Sequence, residues 1–246
     1  MHQFIFKRNE IKYLITDEQK DLILKAIDQY MKQDKYGVST IRNIYFDTLD
    51  YRLIRRSIEK PLYKEKLRIR SYKQVEENEK IFIEMKKKYK SVVYKRRIKI
   101  KQKEALKWVC ENIRPNDNSQ IANEIDYFIK FYKGLKPVVF LSYDREAYYS
   151  IEDEDLRITF DSNILYRTND LSFDQEIYGT SILDKDKIIM EVKSSKGMPL
   201  WLTSVLSELK IYKTSYSKYG IAYQDLIFKN RGGIVWYSQY LTVFLI

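Results

Sequence analysis

Apolar and charged residues alternate along many short stretches of the chain. In KEKLRIRSY, Lys64, Lys66, Arg68 and Arg70 stand on one side and Leu67 and Ile69 on the other. A period of two predicts a strand with one face against a core. The alternation recurs in RNEIKYLI, where Arg8, Glu10 and Lys12 oppose Ile11, Tyr13 and Ile15, and in KIFIEMKKK, where Glu84, Lys86 and Lys88 oppose Ile81, Ile83 and Met85. It continues in YKRRIKIK, with Lys95, Arg97, Lys99 and Lys101 against Ile98 and Ile100. In LRITFD, Arg157, Thr159 and Asp161 oppose Ile158 and Phe160, and in KIIMEVK, Glu191 and Lys193 oppose Ile188, Met190 and Val192. TIRNIYFDT and VVFLSYDREAYY are strand candidates by their Ile, Val, Phe and Tyr content, which makes about eight strands.

Helical spacing separates these stretches. Thr16, with Gln19 three residues on, signals a capping box ahead of Leu22, Ile23, Ala26, Ile27, Tyr30 and Met31. Residues 103–113 and 119–133 carry the same period, Pro199 opens a helix through Leu202, Val205, Leu206 and Leu209, and a last helix covers 217–228. Amphipathic helices need an apolar surface to cover, and the apolar strand faces supply it. The charged faces then turn away from the helices. Eight or so strands can close, gathering those charges into a wet, anion-binding lumen, because buried charges need partners.

Composition narrows the partners. With 45 Lys and Arg against 34 Asp and Glu, the net charge of +11 implies a polyanion: nucleic acid, membrane phosphate, or a nucleotide or phosphate chain. No recognition-helix or RRM-type motif appears, so nucleic acid is not expected. The phosphate loop GxxxxGK[ST] is also missing, and phosphate must be held by side chains rather than a glycine cradle. His2 is the sole histidine, which leaves no support for a histidine triad or a multi-histidine metal site. Most of the 22 tyrosines fall at core spacing and are expected to be packing. The single cysteine, Cys110, excludes an intramolecular disulfide, is expected as a small buried residue on a helix, and fits a cytoplasmic setting. MHQFIFKRNEIKY has no export signal, and no segment reaches the roughly 20 apolar residues of a membrane span. Without a Gly/Ser/Pro-rich linker, residues 1–230 are expected to form one domain, with 231–246 an apolar C-terminal extension.

In this order, RNEIKY, LRIRSY, FIEMK, SYDREA, LRITFD, MEVK and SYSKY resemble the polyphosphate-polymerase domain of the vacuolar transporter chaperone (VTC) family, within the CYTH-like triphosphate tunnel metalloenzymes. The resemblance runs from about residue 4 to 228 and rests on seven short motifs whose order makes them specific. It implies an α+β fold: an antiparallel eight-stranded tunnel with helices on its outer surface. It also implies binding of the triphosphate of ATP with one divalent metal, and transfer of the terminal phosphoryl group to a growing polyphosphate chain. Carried over by position, the phosphate-binding residues are Lys12, Arg68, Arg70, Lys86, Arg145, Arg157 and Lys218, with Tyr143 and Ser217 as hydroxyl donors. Arg68 and Arg145 are implied in catalysis together with Glu191, the carboxylate expected to hold Mn²⁺ or Mg²⁺. The resemblance does not extend to the phosphate-sensing and membrane domains of fungal members, and a separate membrane protein is left open as a partner beside ATP, inorganic triphosphate and polyphosphate.

The residues suit that chemistry. Arginine forks bind phosphate oxygens bidentately while lysines act as point charges, and phosphoryl transfer asks for positioning and charge stabilisation. Ser217 and Lys218 fall at an expected helix start, where backbone N–H groups favour an anion. Glu10 and Glu84 are expected as counter-charges to neighbouring cations, and Lys95, Lys99 and Lys101 as a solvated face or rim. Two other activities fit the same residues: hydrolysis of tripolyphosphate or a nucleoside triphosphate, and polyphosphate binding without turnover. Related hydrolases resemble ExExK at the first strand, where this chain has Arg8, which favours transfer over hydrolysis; Glu191 favours an enzyme over a binder.

Overall fold

The computed structural model describes residues 9–90, 92–153 and 155–230, so the expectations placed on Arg8, His2 and the segment 231–246 lie outside the described residues. In chain order the elements are β1 (Asn9–Thr16), α1 (Asp17–Ile27), β2 (Met31–Gln33), β3 (Ser39–Asp47), α2 (Arg52–Ile58), β4 (Tyr63–Ser71) and β5 (Lys80–Tyr89). There follow β6 (Val92–Lys101), α3 (Gln102–Glu111), α4 (Gln120–Tyr132), β7 (Lys136–Ser150), β8 (Arg157–Arg167) and β9 (Thr180–Ser181). The last elements are β10 (Lys187–Ser194), α5 (Leu200–Glu208), β11 (Lys213–Thr214) and α6 (Lys218–Asn230). The chain is α+β, as expected.

The eight long strands are the eight that alternation and β-propensity predict. Among the described residues the strand count is eleven, because β2, β9 and β11, of two or three residues each, are too short to show a period. The Thr16 capping box is present, with Gln19 N–H donating to the Thr16 hydroxyl and the Gln19 side chain accepting from the Thr16 N–H. That helix ends at Ile27, short of Tyr30 and Met31. Met31 is buried like Ile27 but reaches the core from β2, which pairs with β7, so a core spacing of four residues here joins a helix to a strand. Helix α2 has no apolar period long enough to be foreseen. Its first turn is held from outside by the buried carboxylate of Asp47, which accepts from the N–H of Leu53 at 2.8 Å and of Ile54 at 3.0 Å.

The chain forms two compact units, and β7 and β8 have residues in both. One unit comprises Thr40–Ser142 and Leu165–Thr180. Its strand order is β7-β3-β4-β5-β6, with β3 through β6 antiparallel. Leu67, Ile69, Ile81, Ile83 and Met85 form its core with Ala105, Trp108 and Val109 of α3 and Ile125, Phe128 and Ile129 of α4. Each such aliphatic side chain removed from water contributes about 1.5–3 kcal/mol. The apolar faces of β4 and β5 therefore lie under helices, as their alternation requires.

The other unit runs from β1 to Ser39 and includes Tyr143–Ile164 and the chain from Ser181 onward. Its strand order is β11-β1-β10-β8-β7. Tyr13, Ile15, Ile158, Phe160, Ile188, Met190 and Val192 meet Ile23 and Ile27 of α1 and Leu202 and Leu206 of α5. On the opposite face the register sets Lys12 across from Glu191 and Glu191 across from Thr159; in the next row Glu10, Lys193 and Arg157 are aligned.

Cys110 corrects one expectation. It lies on a helix, but on the exposed side of α3, because Ala105, Trp108 and Val109 take the buried stripe. Among the described residues no helix is long and apolar enough to cross a membrane.

Candidate functional site

In the first unit, the core position of Leu67 and Ile69 turns Arg68 and Arg70 to the other face of β4. Their centre is Glu84 on β5, only 1 % exposed. Its Oε2 accepts from Arg68 Nε at 2.9 Å and Nη2 at 2.8 Å, while Arg70 Nη1 lies 3.7 Å away and Lys95 Nζ forms an ion pair with Oε1 at 3.1 Å. Arg68 Nη1 also donates to the Tyr45 hydroxyl at 2.8 Å, and Arg70 Nε to Asn43 Oδ1 at 2.9 Å. Burial works against the Glu84 carboxylate, but Arg68, Arg70 and Lys95 outweigh it and hold its pKa far below the ordinary glutamate value. Partial desolvation, with Arg70 and Arg68 nearby, pushes Lys95 down to about 8 against the pull of Glu84. Lys95, expected from the sequence at a solvated rim, thus belongs to this cluster. Lys66, Lys86 and Lys95 lie directly across adjacent strands, a like-charged row that repels itself and favours an anion.

In the second unit the centre is Asp161 of β8, which is fully buried. Arg145 of β7 grips it side-on, Nε to Oδ1 at 2.6 Å and Nη2 to Oδ2 at 2.7 Å, and Lys218 Nζ donates to Oδ2 at 2.5 Å. Both cations sit over the Tyr143 ring, at 5.1 Å for the guanidinium and 4.5 Å for the ammonium. Burial opposes ionisation of Asp161, yet Lys218 and Arg145 bring its pKa down to about 2. Glu191, 7 % exposed, has Lys193 Nζ at 3.7 Å and Arg145 Nη2 at 3.9 Å from its Oε2. Lys12 Nζ donates to the Tyr216 carbonyl at 2.8 Å. The adjacent Ser217 hydroxyl accepts from Gly220 N–H at 3.1 Å and caps α6, whose first residue is Lys218, so the expected helix start is where these two residues lie.

The second unit therefore gathers Lys12, Tyr143, Arg145, Glu191, Ser217 and Lys218, while Arg68, Arg70 and Lys86 belong to the first. Arg157 is set apart: its side chain is 48 % exposed and Nη2 donates to Asp34 at 3.0 Å. Asp161 is the residue that sequence reasoning passed over. Its place beside Arg157 and Thr159 in the alternation marked its face; its partners, on β7 and α6, lie 16 and 57 residues away in sequence.

The donors around Glu191 suit a hard divalent cation. Thr159, directly across the ladder, is 1 % exposed, and among the described residues its hydroxyl has no hydrogen-bond partner. Among the described residues no three or more His, Cys, Asp or Glu cluster as a metal cage. One carboxylate with a buried hydroxyl matches a cation such as Mg²⁺, which takes one or two carboxylates and completes its shell with water and phosphate oxygens.

Two solved structures share this fold. A putative adenylate cyclase from Bacillus halodurans is 16 % identical, with a TM-score of 0.54 over 87 % of this chain and 96 % of its own. A putative adenylyl cyclase from Hippeastrum, described as having a dominant triphosphatase activity, is 16 % identical, with a TM-score of 0.52 over 93 % of this chain and 97 % of its own. The antiparallel strands with helices on their apolar faces are of the triphosphate-tunnel fold class. The chain belongs to the VTC domain family, whose model matches residues 7–227. No curated protein sequence matches it.

Proposed function

We propose that the protein is a polyphosphate polymerase, transferring the terminal phosphoryl group of ATP to a polyphosphate chain with a divalent metal, Mn²⁺ or Mg²⁺. The observation that supports this most is the grouping of Arg145 and Lys218 over Tyr143, with Glu191 beside Arg145, on the charged face of a VTC-domain chain. In the second unit Arg145 binds phosphate oxygens through its planar guanidinium while Lys12 and Lys218 add point charges, and in the first unit Arg68, Arg70 and Lys86 offer the same chemistry. Arg157, across the ladder from Lys193 and half-exposed, adds a cation at the margin, and Ser217 with the first turn of α6 offers donors of a different kind. Glu191, with Thr159 across from it, would hold the metal, which when bound neutralises phosphate oxygens. Loose phosphoryl transfer needs little covalent help from a protein, so a fixed array of cations supplies most of what the reaction requires. The adenosine moiety is not addressed by any of these residues, and inorganic triphosphate should compete with ATP far better than adenosine does.

Hydrolysis is the second reading, supported by the triphosphatase activity ascribed to the Hippeastrum protein of the same fold. Incubating the purified protein with ATP and Mn²⁺ and resolving the products separates the two. Long polyphosphate with ADP is the expected result. Free phosphate without polymer would replace the polymerase by a hydrolase, and tight triphosphate binding without turnover would leave a binding module.

A further inference from the structure

With Arg145 and Lys218 taken as phosphate ligands, as proposed above, we propose that Asp161 is a positioning residue that presets both of them for the anion. Asp161 touches no solvent, and both its oxygens are engaged by three donors, so it is not available to a metal or a substrate. What it controls is geometry. A side-on grip through Nε and Nη2 fixes the plane of the Arg145 guanidinium and directs its Nη1 edge away from the carboxylate. The same Oδ2 that takes Arg145 Nη2 takes Lys218 Nζ, so the two cations are spaced by one shared oxygen above the Tyr143 ring. Two like charges would otherwise separate before an anion arrives. A carboxylate between them keeps them together with one positive charge in excess, so the phosphate meets donors already in place and pays little reorganisation.

Asp161→Asn keeps the size of the side chain and removes its charge. Because the local potential becomes more positive, triphosphate affinity should hold or rise, and KM should stay within about threefold of wild type while kcat falls by at least about tenfold. In an Arg145→Lys background, where the fork is already gone, the same change should lower kcat by no more than about twofold further. A readout independent of turnover is the Nε–H resonance of Arg145, assigned by its loss in Arg145→Lys: sharp and protected from exchange in wild type, averaged into the exposed arginine signals in Asp161→Asn. If the two cations left behind unfold that variant, Asp161→Asn with Lys218→Met removes one charge of each sign and should still lose the arginine signal. Equal losses of kcat and of folded fraction, multiplicative effects in the Arg145→Lys background, or an arginine signal that survives without Asp161 would each overturn the assignment. A wild type inactive on ATP and on tripolyphosphate would defeat the proposed function and leave the arginine signal to decide the role of Asp161.

Discussion

Replacing Glu84 by glutamine should destabilise the protein and make a bound anion more stabilising than it is in wild type. The side chain keeps its shape, but Arg68, Arg70 and Lys95 lose a carboxylate that lies within 4 Å of all three, and the new amide nitrogen presents hydrogens to a cation. Breaking a buried ion pair from one side costs about 3–5 kcal/mol. Arg68 and Lys95 are 17 % and 43 % exposed along their side chains, so water recovers part of this and the expected loss is roughly 2–4 kcal/mol. Urea unfolding at neutral pH measures it directly. Saturating inorganic triphosphate at a hundred times its dissociation constant stabilises any binding-competent fold by about 2.7 kcal/mol. The variant should gain more than wild type at equal ligand concentration, since the anion returns the negative charge that the mutation removed. A loss below about 1 kcal/mol would show that the cations do not depend on Glu84. An equal or smaller ligand-induced gain would refute the idea that phosphate meets this cluster.

Three further outcomes are expected. Glu191→Gln should abolish metal-dependent turnover while keeping most of the affinity for triphosphate measured by calorimetry without metal; unchanged turnover removes Glu191 from the site. Lys95 loses its proton as pH rises through about 8, so triphosphate affinity should fall between pH 7 and 9 and the fall should be absent from Lys95→Met. Identical pH profiles for the two proteins would place Lys95 outside the anion's reach. Gly179→Ala should lower the thermal midpoint, because the added Cβ would stand 2.3 Å from the Tyr166 carbonyl oxygen at a φ of +148°, which only glycine adopts without strain; a melt unchanged from wild type contradicts that backbone contact.

The faces of the strands were legible from sequence because a period of two leaves only two choices, and the apolar one must be buried. Leu67 and Ile69 settled which side Arg68 and Arg70 take before any contact was known. The helices were legible where a long stripe ran, with a cap at Thr16, and not where burial comes from elsewhere. Helix α2 is seven residues long and is started by Asp47, a residue outside it. Cys110 shows the limit of residue type: a small apolar side chain is placed by the stripe its helix already has, and that stripe runs through Ala105, Trp108 and Val109.

The roles of the carboxylates were the part that spacing could not resolve. Alternation puts Glu84, Asp161 and Glu191 on faces of the same kind, each flanked by cations along its own strand or the next. Each role depends on which donors converge from remote strands. Two hydrogen bonds from Arg68 engage Glu84 Oε2, with Arg70 close by and the Lys95 ammonium facing Oε1, and three hydrogen bonds from Arg145 and Lys218 engage both oxygens of Asp161. A divalent cation at either carboxylate would stand against the positive groups that already face it, and a displaced buried charge costs several kcal/mol. Glu191 faces a different set: Lys193 and Arg145 stand at 3.7 and 3.9 Å, Lys12 lies across the ladder on one side and the buried Thr159 on the other. In the proposed division of labour Glu84 and Asp161 hold cations in place for phosphate, and Glu191, with the buried hydroxyl of Thr159 across from it, meets the metal.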